Sequence, residues 1–346
     1  MESFHNFKIL VTQISKKHGH DISDKYHNAI YQDVNLGGKN IKLRRNASFT
    51  PYIDQGCTAN CLFCSETFSK NGIVDIEEVG KNCMIHHERV AKFKEILEQL
   101  DGFDLSISIS GLEPILGIDQ IDDFLRTSRE VEESGKKVIQ RVIMYSNLTE
   151  GKKVYEKLKK IIKENPKFKQ IQISRHHYNE TINKKIMRYH VNTDGFEERV
   201  QLIQPLIDTK LVCVMQKGGI DSLPEIIEYV KYGKSLNFKK IGFRQLAICE
   251  GVVDENETSI YCKENHVDFD SILQEIENSQ EWHFVSAVCG YYFINVRYEY
   301  DGVIVNFSVS DYNTMVECHM SERKEKLILY PNGNLCYDWS INKIVY

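Results

Sequence analysis

From about residue 47 to 250, short runs rich in β-branched and apolar residues alternate with longer stretches whose apolar positions recur every three to four residues. A strand-like run feeding a helix-like one, repeated, is the pattern of parallel βα units. It predicts six strands, at 48–53, 105–110, 138–146, 170–174, 211–216 and 241–248. Helices are expected near 82–100, 119–133 and 223–232, and helical sequence also follows the third and fourth strands. Right-handed crossovers curl such a series into an open or closed barrel with its helices outside. Chemistry in such folds collects at the C-terminal ends of the strands.

After residue 251 the pattern changes. A helix near 270–277 precedes the runs WHFVSAV, YYFINVRYEY and VIVNFSV, the last two separated by Asp301-Gly302, a strong hairpin signal. A second hairpin is expected at Asn332-Gly333 within KLILYPNGNLCYDW. Three segments follow from this pattern: a helical or irregular extension over 1–46, an α/β partial (β/α)6 barrel over 47–250, and a small antiparallel β-rich cap of α+β character over 251–346.

The 346 residues carry 44 Lys and Arg against 49 Asp and Glu, a formal net charge of −5, with 42% hydrophobic residues. That composition can fold, and its mild acidity argues against a chain built mainly to grip a nucleic-acid backbone. No stretch approaches the ~18 consecutive apolar residues of a membrane span. The N-terminal MESFHNFKILVTQISKKHGH lacks a signal peptide's apolar run and cleavage site, so a cytoplasmic location is expected. In a reducing compartment the ten cysteines are not expected to pair, so a cluster among them reads first as metal-binding or reactive.

One such cluster exists. Gly56-Cys57-Thr58-Ala59-Asn60-Cys61-Leu62-Phe63-Cys64 places three thiols at C-x3-C-x2-C spacing directly after the first strand of the barrel region. Three thiolates on a tight loop can share one inorganic core, whereas a saturated iron–sulfur or structural zinc site normally takes four protein ligands. No nearby residue has an obvious claim on the fourth position, and an open position is what a metal site keeps for an exogenous ligand. A zinc knuckle, or three unrelated thiols, is the competing reading of the spacing.

This spacing, with an aromatic residue before the third cysteine, resembles the signature of the radical S-adenosylmethionine (radical SAM) superfamily. The resemblance implies a 4Fe-4S cluster held by Cys57, Cys61 and Cys64, with Phe63 beside it and S-adenosylmethionine on the unique iron. Electron delivery, from a reducing protein such as a flavodoxin or ferredoxin, would then cleave the sulfonium to a 5'-deoxyadenosyl radical that abstracts hydrogen from a substrate.

Further segments are similar to the family's. Ser110-Gly111-Leu112-Glu113-Pro114 resembles its GGEP segment with Leu112 in place of the second glycine, which implies close ligand approach at Gly111 and an ammonium-accepting carboxylate at Glu113. A strand-to-helix turn is the plainer reading. Ser146-Asn147 stands where the family often places a polar group against the ribose hydroxyls, and an N-cap is the alternative. Ser174-Arg175 ends the fourth strand, and Arg199 in GFEERV resembles an arginine that pairs with the cofactor's carboxylate; Arg199 is the first choice for that role and Arg175 the second. Phe196 to Val200, VCVMQKGGID and FRQL are similar to the branch containing the molybdenum-cofactor cyclase and the peptide-modifying enzymes. That branch's auxiliary C-x2-C pair is absent.

Substrate contacts are expected at strand ends and in the C-terminal cap, from His176, His177, Tyr178, Arg244, Asp338 or Trp339. Cys249, at the predicted end of the sixth strand, would donate a hydrogen atom were the enzyme an epimerase; a buried structural thiol is the alternative. A small-molecule substrate, rearranged, epimerised or oxidised in a biosynthetic pathway, is the first expectation. A ribosomally made peptide is the second, and a non-catalytic metal-binding protein on the same fold is the rival outside catalysis.

Overall fold

The computed structural model describes residues 2–67, 83–247, 255–341 and 343–346. The chain opens on a helix, Glu2–Lys17, that buries Phe7, Val11 and Ile14, three positions on one helical face. Three strands follow, β1 (Ser23–Asp24), β2 (Tyr31–Leu36) and β3 (Lys39–Pro51). β2 and β3 form a hairpin about Gly37-Gly38, whose φ angles of +56° and +84° suit glycine. The first 46 residues therefore contain a hairpin in addition to the expected helix, and the first barrel strand begins well before residue 48.

The parallel array continues as β4 (Leu105–Ile109), β5 (Ile139–Ser146), β6 (Phe168–Ser174), β7 (Asp208–Met215) and β8 (Lys240–Gln245), each pairing in parallel with the one before it. Helices His86–Gln99, Ile118–Glu133, Lys152–Glu164, Glu180–Met187, Phe196–Ile203 and Leu223–Ser235 lie among these strands in sequence. Helices Glu257–Glu264 and Phe269–Glu277 then lead to β9 (Trp282–Cys289), β10 (Phe293–Tyr300) and β11 (Val303–Ser310), an antiparallel run turning at Asp301-Gly302. Helix Tyr312–Met320 leads to β12 (Arg323–Leu329), which pairs antiparallel with β13 (Leu335–Cys336).

The antiparallel strands are joined to the barrel sheet at both edges. β11 runs parallel to β8 and β12 runs parallel to β3, so the order is β1-β9-β10-β11-β8-β7-β6-β5-β4-β3-β12-β13. The sheet is not closed and the barrel is partial. The helix Tyr312–Met320 connects β11, beside β8, to β12, beside β3, and buries Met315 and His319.

Alternation along the strands fixes what faces where. Ile107, Ile109, Met144, Ile171, Ile173, Leu211, Cys213, Ile241 and Phe243 are fully buried, as are Phe93, Ile121, Phe124, Ile161 and Tyr229 on the helices. Each large apolar side chain so placed contributes about 1.5–3 kcal/mol. The intervening positions Ser106, Ser108, Gln170, Gln172 and Ser174 are less buried. Gln172 and Ser174 line a polar lumen inside the barrel. Among the described residues no helix is long and apolar enough to cross a membrane.

Candidate active site

The loop after β3 is pinned from three sides. Ile53 N–H donates to Ser110 O at 3.1 Å, Glu113 N–H to Gly56 O at 2.9 Å and Asn60 N–H to Met187 O at 3.0 Å. These bonds hold the cysteine segment against the C-terminal ends of β3, β4 and the helix Glu180–Met187. Cys57, Cys61 and Cys64 all line one cavity of about 560 Å³ at that end of the sheet. Burial pushes the Cys61 thiol up to about 12 and Cys64 higher still, with Glu66 adding to the second, so binding of a metal core must displace their protons.

Among the described residues, no three His, Cys, Asp or Glu side chains are gathered for a single ion. The three thiols nonetheless line the same cavity, where three thiolates can hold one inorganic core. Cys83 is exposed, with its sulfur 3.9 Å from Asp54 Oδ2, and does not line the cavity. The donor set therefore fits a 4Fe-4S cluster with one iron left to an exogenous ligand.

Gly111 stands at φ +106°, and a Cβ there would lie 2.7 Å from Ile53 O and 3.0 Å from the Tyr52 ring. Gly111→Ala is expected to cost about 2–4 kcal/mol through that strain and overlap, read as a fall in thermal midpoint. Leu112, in place of the resembled glycine, also adopts a positive φ of +49°, a conformation costing a non-glycine residue roughly 1 kcal/mol.

Glu113, 2% exposed, accepts from Asn147 N–H at 2.7 Å and Ile115 N–H at 3.3 Å, and it lines the cavity. Burial pushes its carboxyl up to about 7, while Ser146 and the two N–H groups pull the other way. Asn147 also lines the cavity and donates through Nδ2 to Thr58 Oγ1 at 2.9 Å, tying the cysteine loop to the end of β5. Neither Ser146 nor Asn147 caps the next helix, whose N-cap is Gly151. Ser174 lines the same wall.

The other expected site residues divide. Phe63, His176 and Arg244 line the cavity. His176 meets Phe63 edge-on with ring centroids 5.0 Å apart and accepts from Val214 N–H at 2.9 Å through Nδ1. Burial, then Arg244 and Arg175, lowers it to about 3, so the ring is neutral and acts as a spacer holding Phe63 against β7. His177 does not line the cavity: its Nδ1 accepts from Asn179 N–H and its ring packs on Tyr178. Asp338 is likewise elsewhere, 2.9 Å from His319 Nδ1.

The two arginines chosen for a cofactor carboxylate are committed to other partners. Arg175 pairs with Glu180 at 2.8 Å and lies over the rings of Phe196 and Tyr232, at 4.6 and 5.2 Å. Arg199 donates to Asp194 O at 2.6 Å and Thr193 O at 2.8 Å, bracing the loop before its own helix. Both point outside the cavity lining. Cys249 lies outside the described residues.

The cavity also contains residues that local sequence reading passed over: Tyr145, Gln172, Lys210, Asn295, Arg297, Asn306 and Ser308. Their signal was the polar half of each strand's alternation, as in Gln170-Ile-Gln172-Ile-Ser174 and Asn306-Phe-Ser308-Val-Ser310. Only the curl of the sheet turns that half toward a lumen.

The chain matches the sequence model of the radical SAM superfamily over residues 52–230. No curated protein matches it. Among solved structures it is similar to anSMEcpe with bound AdoMet, at 20% identity and a TM-score of 0.42 over 57% of this chain and 50% of that one. It thus spans half of that chain. SuiB of Streptococcus suis bound to S-adenosylmethionine is 14% identical, with a TM-score of 0.46 over 85% of this chain and 61% of SuiB. Coproporphyrinogen III oxidase (HemN) from Escherichia coli, a radical SAM enzyme, is 9% identical, with a TM-score of 0.42 over 74% and 66%.

Proposed function

Because the chain belongs to the radical SAM superfamily, enzymes whose cofactors are a 4Fe-4S cluster and S-adenosylmethionine, we propose that it acts on a small molecule bound in the barrel lumen. The observation that carries this reading is the convergence of Cys57, Cys61, Cys64, Glu113 and Asn147 on one cavity that continues between polar side chains of β5 to β8, β10 and β11. The chemistry supplied there is one-electron cleavage of the sulfonium and removal of hydrogen from a substrate carbon.

The chain's own residues bind, orient and exclude. The three thiolates hold the cluster, and Glu113 receives the cofactor's ammonium while Asn147 and Ser174 bound its nucleoside end. Phe63 and His176 wall off the loop, keeping water from the reacting region. Arg244 reaches the substrate side of the same space. A reducing protein of the flavodoxin or ferredoxin kind supplies the electron. Since the cavity is about 560 Å³ and lined by side chains of six strands, a small molecule suits it better than an extended peptide.

Anaerobic reconstitution with iron and sulfide tests the reading. It is expected to give about four irons per chain, the count of the family's cluster, and 5'-deoxyadenosine on reduction. Zinc in anaerobically purified protein, or a cluster without cofactor cleavage, overturns it. A greater yield of 5'-deoxyadenosine with peptides than with small-molecule fractions overturns the substrate class alone.

A further inference from the structure

Three cations meet inside the lumen. Lys210 comes from β7, Arg244 from β8 and Arg297 from β10, and all three line the cavity. The strand register brings them together: Asn306 pairs with Gly242 on one side and Arg297 on the other, and Lys210 extends across Gly242. A Cβ on Gly242 would sit 2.6 Å from Lys210 Cε and 2.8 Å from its Nζ, so the glycine makes the slot in which the ammonium lies. Arg244 donates to Gln172 Oε1 at 3.0 Å.

Among the described residues none of the three forms an ion pair with a carboxylate. Among the described residues, the acidic residue lining the cavity is Glu113, which is buried and held by backbone N–H groups. Lys210 is half-buried while Arg244 and Arg297 are exposed to the lumen, so the three like charges repel one another and stay accessible to an anion that would offset the repulsion. Burial first, then Arg244, Arg297 and Lys240, pushes the Lys210 ammonium down to about 7. Lysines elsewhere do form ion pairs, whereas the lumen trio has no carboxylate partner among the described residues.

Resting on the function proposed above, we infer that the substrate carries an anionic group, a carboxylate or a phosphate, received inside the barrel by Lys210, Arg244 and Arg297. Two guanidiniums and an ammonium match the several oxygens of such a group, and each charge-assisted bond formed there replaces a repulsion. The group anchors one end of the substrate in the lumen and leaves the rest directed to the cysteine loop.

The test is a calorimetric titration of the reconstituted holoenzyme with inorganic phosphate and, separately, succinate, with acetamide as the uncharged probe. S-adenosylmethionine is present throughout, so that its own carboxylate is already placed. Phosphate or succinate is expected to bind and acetamide not, and the tighter of the two anions identifies the group. Arg244→Gln and Arg297→Gln should each weaken that binding by about tenfold or more, the loss of one charge-assisted hydrogen bond. Gly242→Ala leaves every charge in place but displaces the Lys210 ammonium, and should weaken binding likewise.

Equal affinity in the three variants, or no anion binding by protein that still holds its cluster and cofactor, overturns the inference and leaves the functional reading standing. Competition between the anion and S-adenosylmethionine also overturns it, by assigning the trio to the cofactor. Loss of cluster assembly in the unsubstituted chain instead overturns the functional reading on which the inference rests.

Discussion

Replacing any one of Cys57, Cys61 or Cys64 by alanine is expected to abolish 5'-deoxyadenosine formation while the chain keeps its fold. The loss follows from ligand count. With three protein ligands and one iron reserved for the cofactor, removing a thiolate leaves a core held at two corners. Losing even an outer partner of a metal ligand typically costs about 10–100-fold in metal affinity, so a lost ligand exceeds that range. The fold survives because the loop is fixed by backbone bonds to Ser110, Glu113 and Met187, and because the core is built on the helix-facing side of the strands. Iron and sulfide per chain, the cluster absorbance and 5'-deoxyadenosine yield should fall together, with the thermal midpoint of the iron-free protein moving by no more than a few degrees. Cys83→Ala, outside the cavity, should change none of these. Full activity in a Cys61→Ala protein would remove the basis for the cluster assignment.

The parts of this architecture written in local sequence were legible. Strands β4 to β8 stand close to the positions that alternation and β-branched runs predict, and helices Ile118–Glu133, Leu223–Ser235 and Phe269–Glu277 match their periodicity within a few residues. The Asp301-Gly302 turn joins β10 to β11 as its residues demand. The β2–β3 hairpin was passed over although Gly37-Gly38 signals it. The cause is the run Lys42-Leu43-Arg44-Arg45-Asn46, where adjacent polar residues mask the Ile41–Leu43 alternation.

Other features were never local. That β11 pairs in parallel with β8, and β12 with β3, depends on partners some 60 and 280 residues away, and no window of sequence contains both. The same holds for the lumen: polar positions on a strand read as solvent-facing until the sheet is seen to curl, which is why Lys210 and Arg297 escaped notice while Arg244, at a strand end, did not. Arg175 and Arg199 show what a local resemblance leaves out. A motif resemblance specifies a residue type near a position, but Glu180 and the carbonyls of Thr193 and Asp194 decide where those guanidiniums point.

Affinity for S-adenosylmethionine is expected to fall as pH drops below about 7, by up to about tenfold per unit, and Glu113→Gln should flatten that dependence. In the unloaded chain burial holds the carboxyl at about 7, so it is protonated over much of the mildly acidic range. An ammonium needs the ionised form. Binding must therefore expel a proton below pH 7, and each further unit of acid opposes it. The stability of the unloaded protein runs in the opposite direction: a carboxyl raised above its ordinary 4.5 favours the folded state most below that value and loses that contribution as pH rises through 7, by roughly 3 kcal/mol at most. Glu113→Gln keeps one oxygen for the shorter bond, from Asn147 N–H at 2.7 Å, and gives up only the longer one from Ile115 N–H at 3.3 Å. It should spare the fold, weaken S-adenosylmethionine binding by about 10–100-fold at pH 8 and remove the acid limb of the profile. Glu113→Ala strands both N–H donors and should cost about 2–4 kcal/mol of stability in addition. Equilibrium binding across pH, paired with thermal unfolding of both variants, separates the two roles. Identical pH profiles in the wild type and Glu113→Gln would show that the cofactor's ammonium is received by another group.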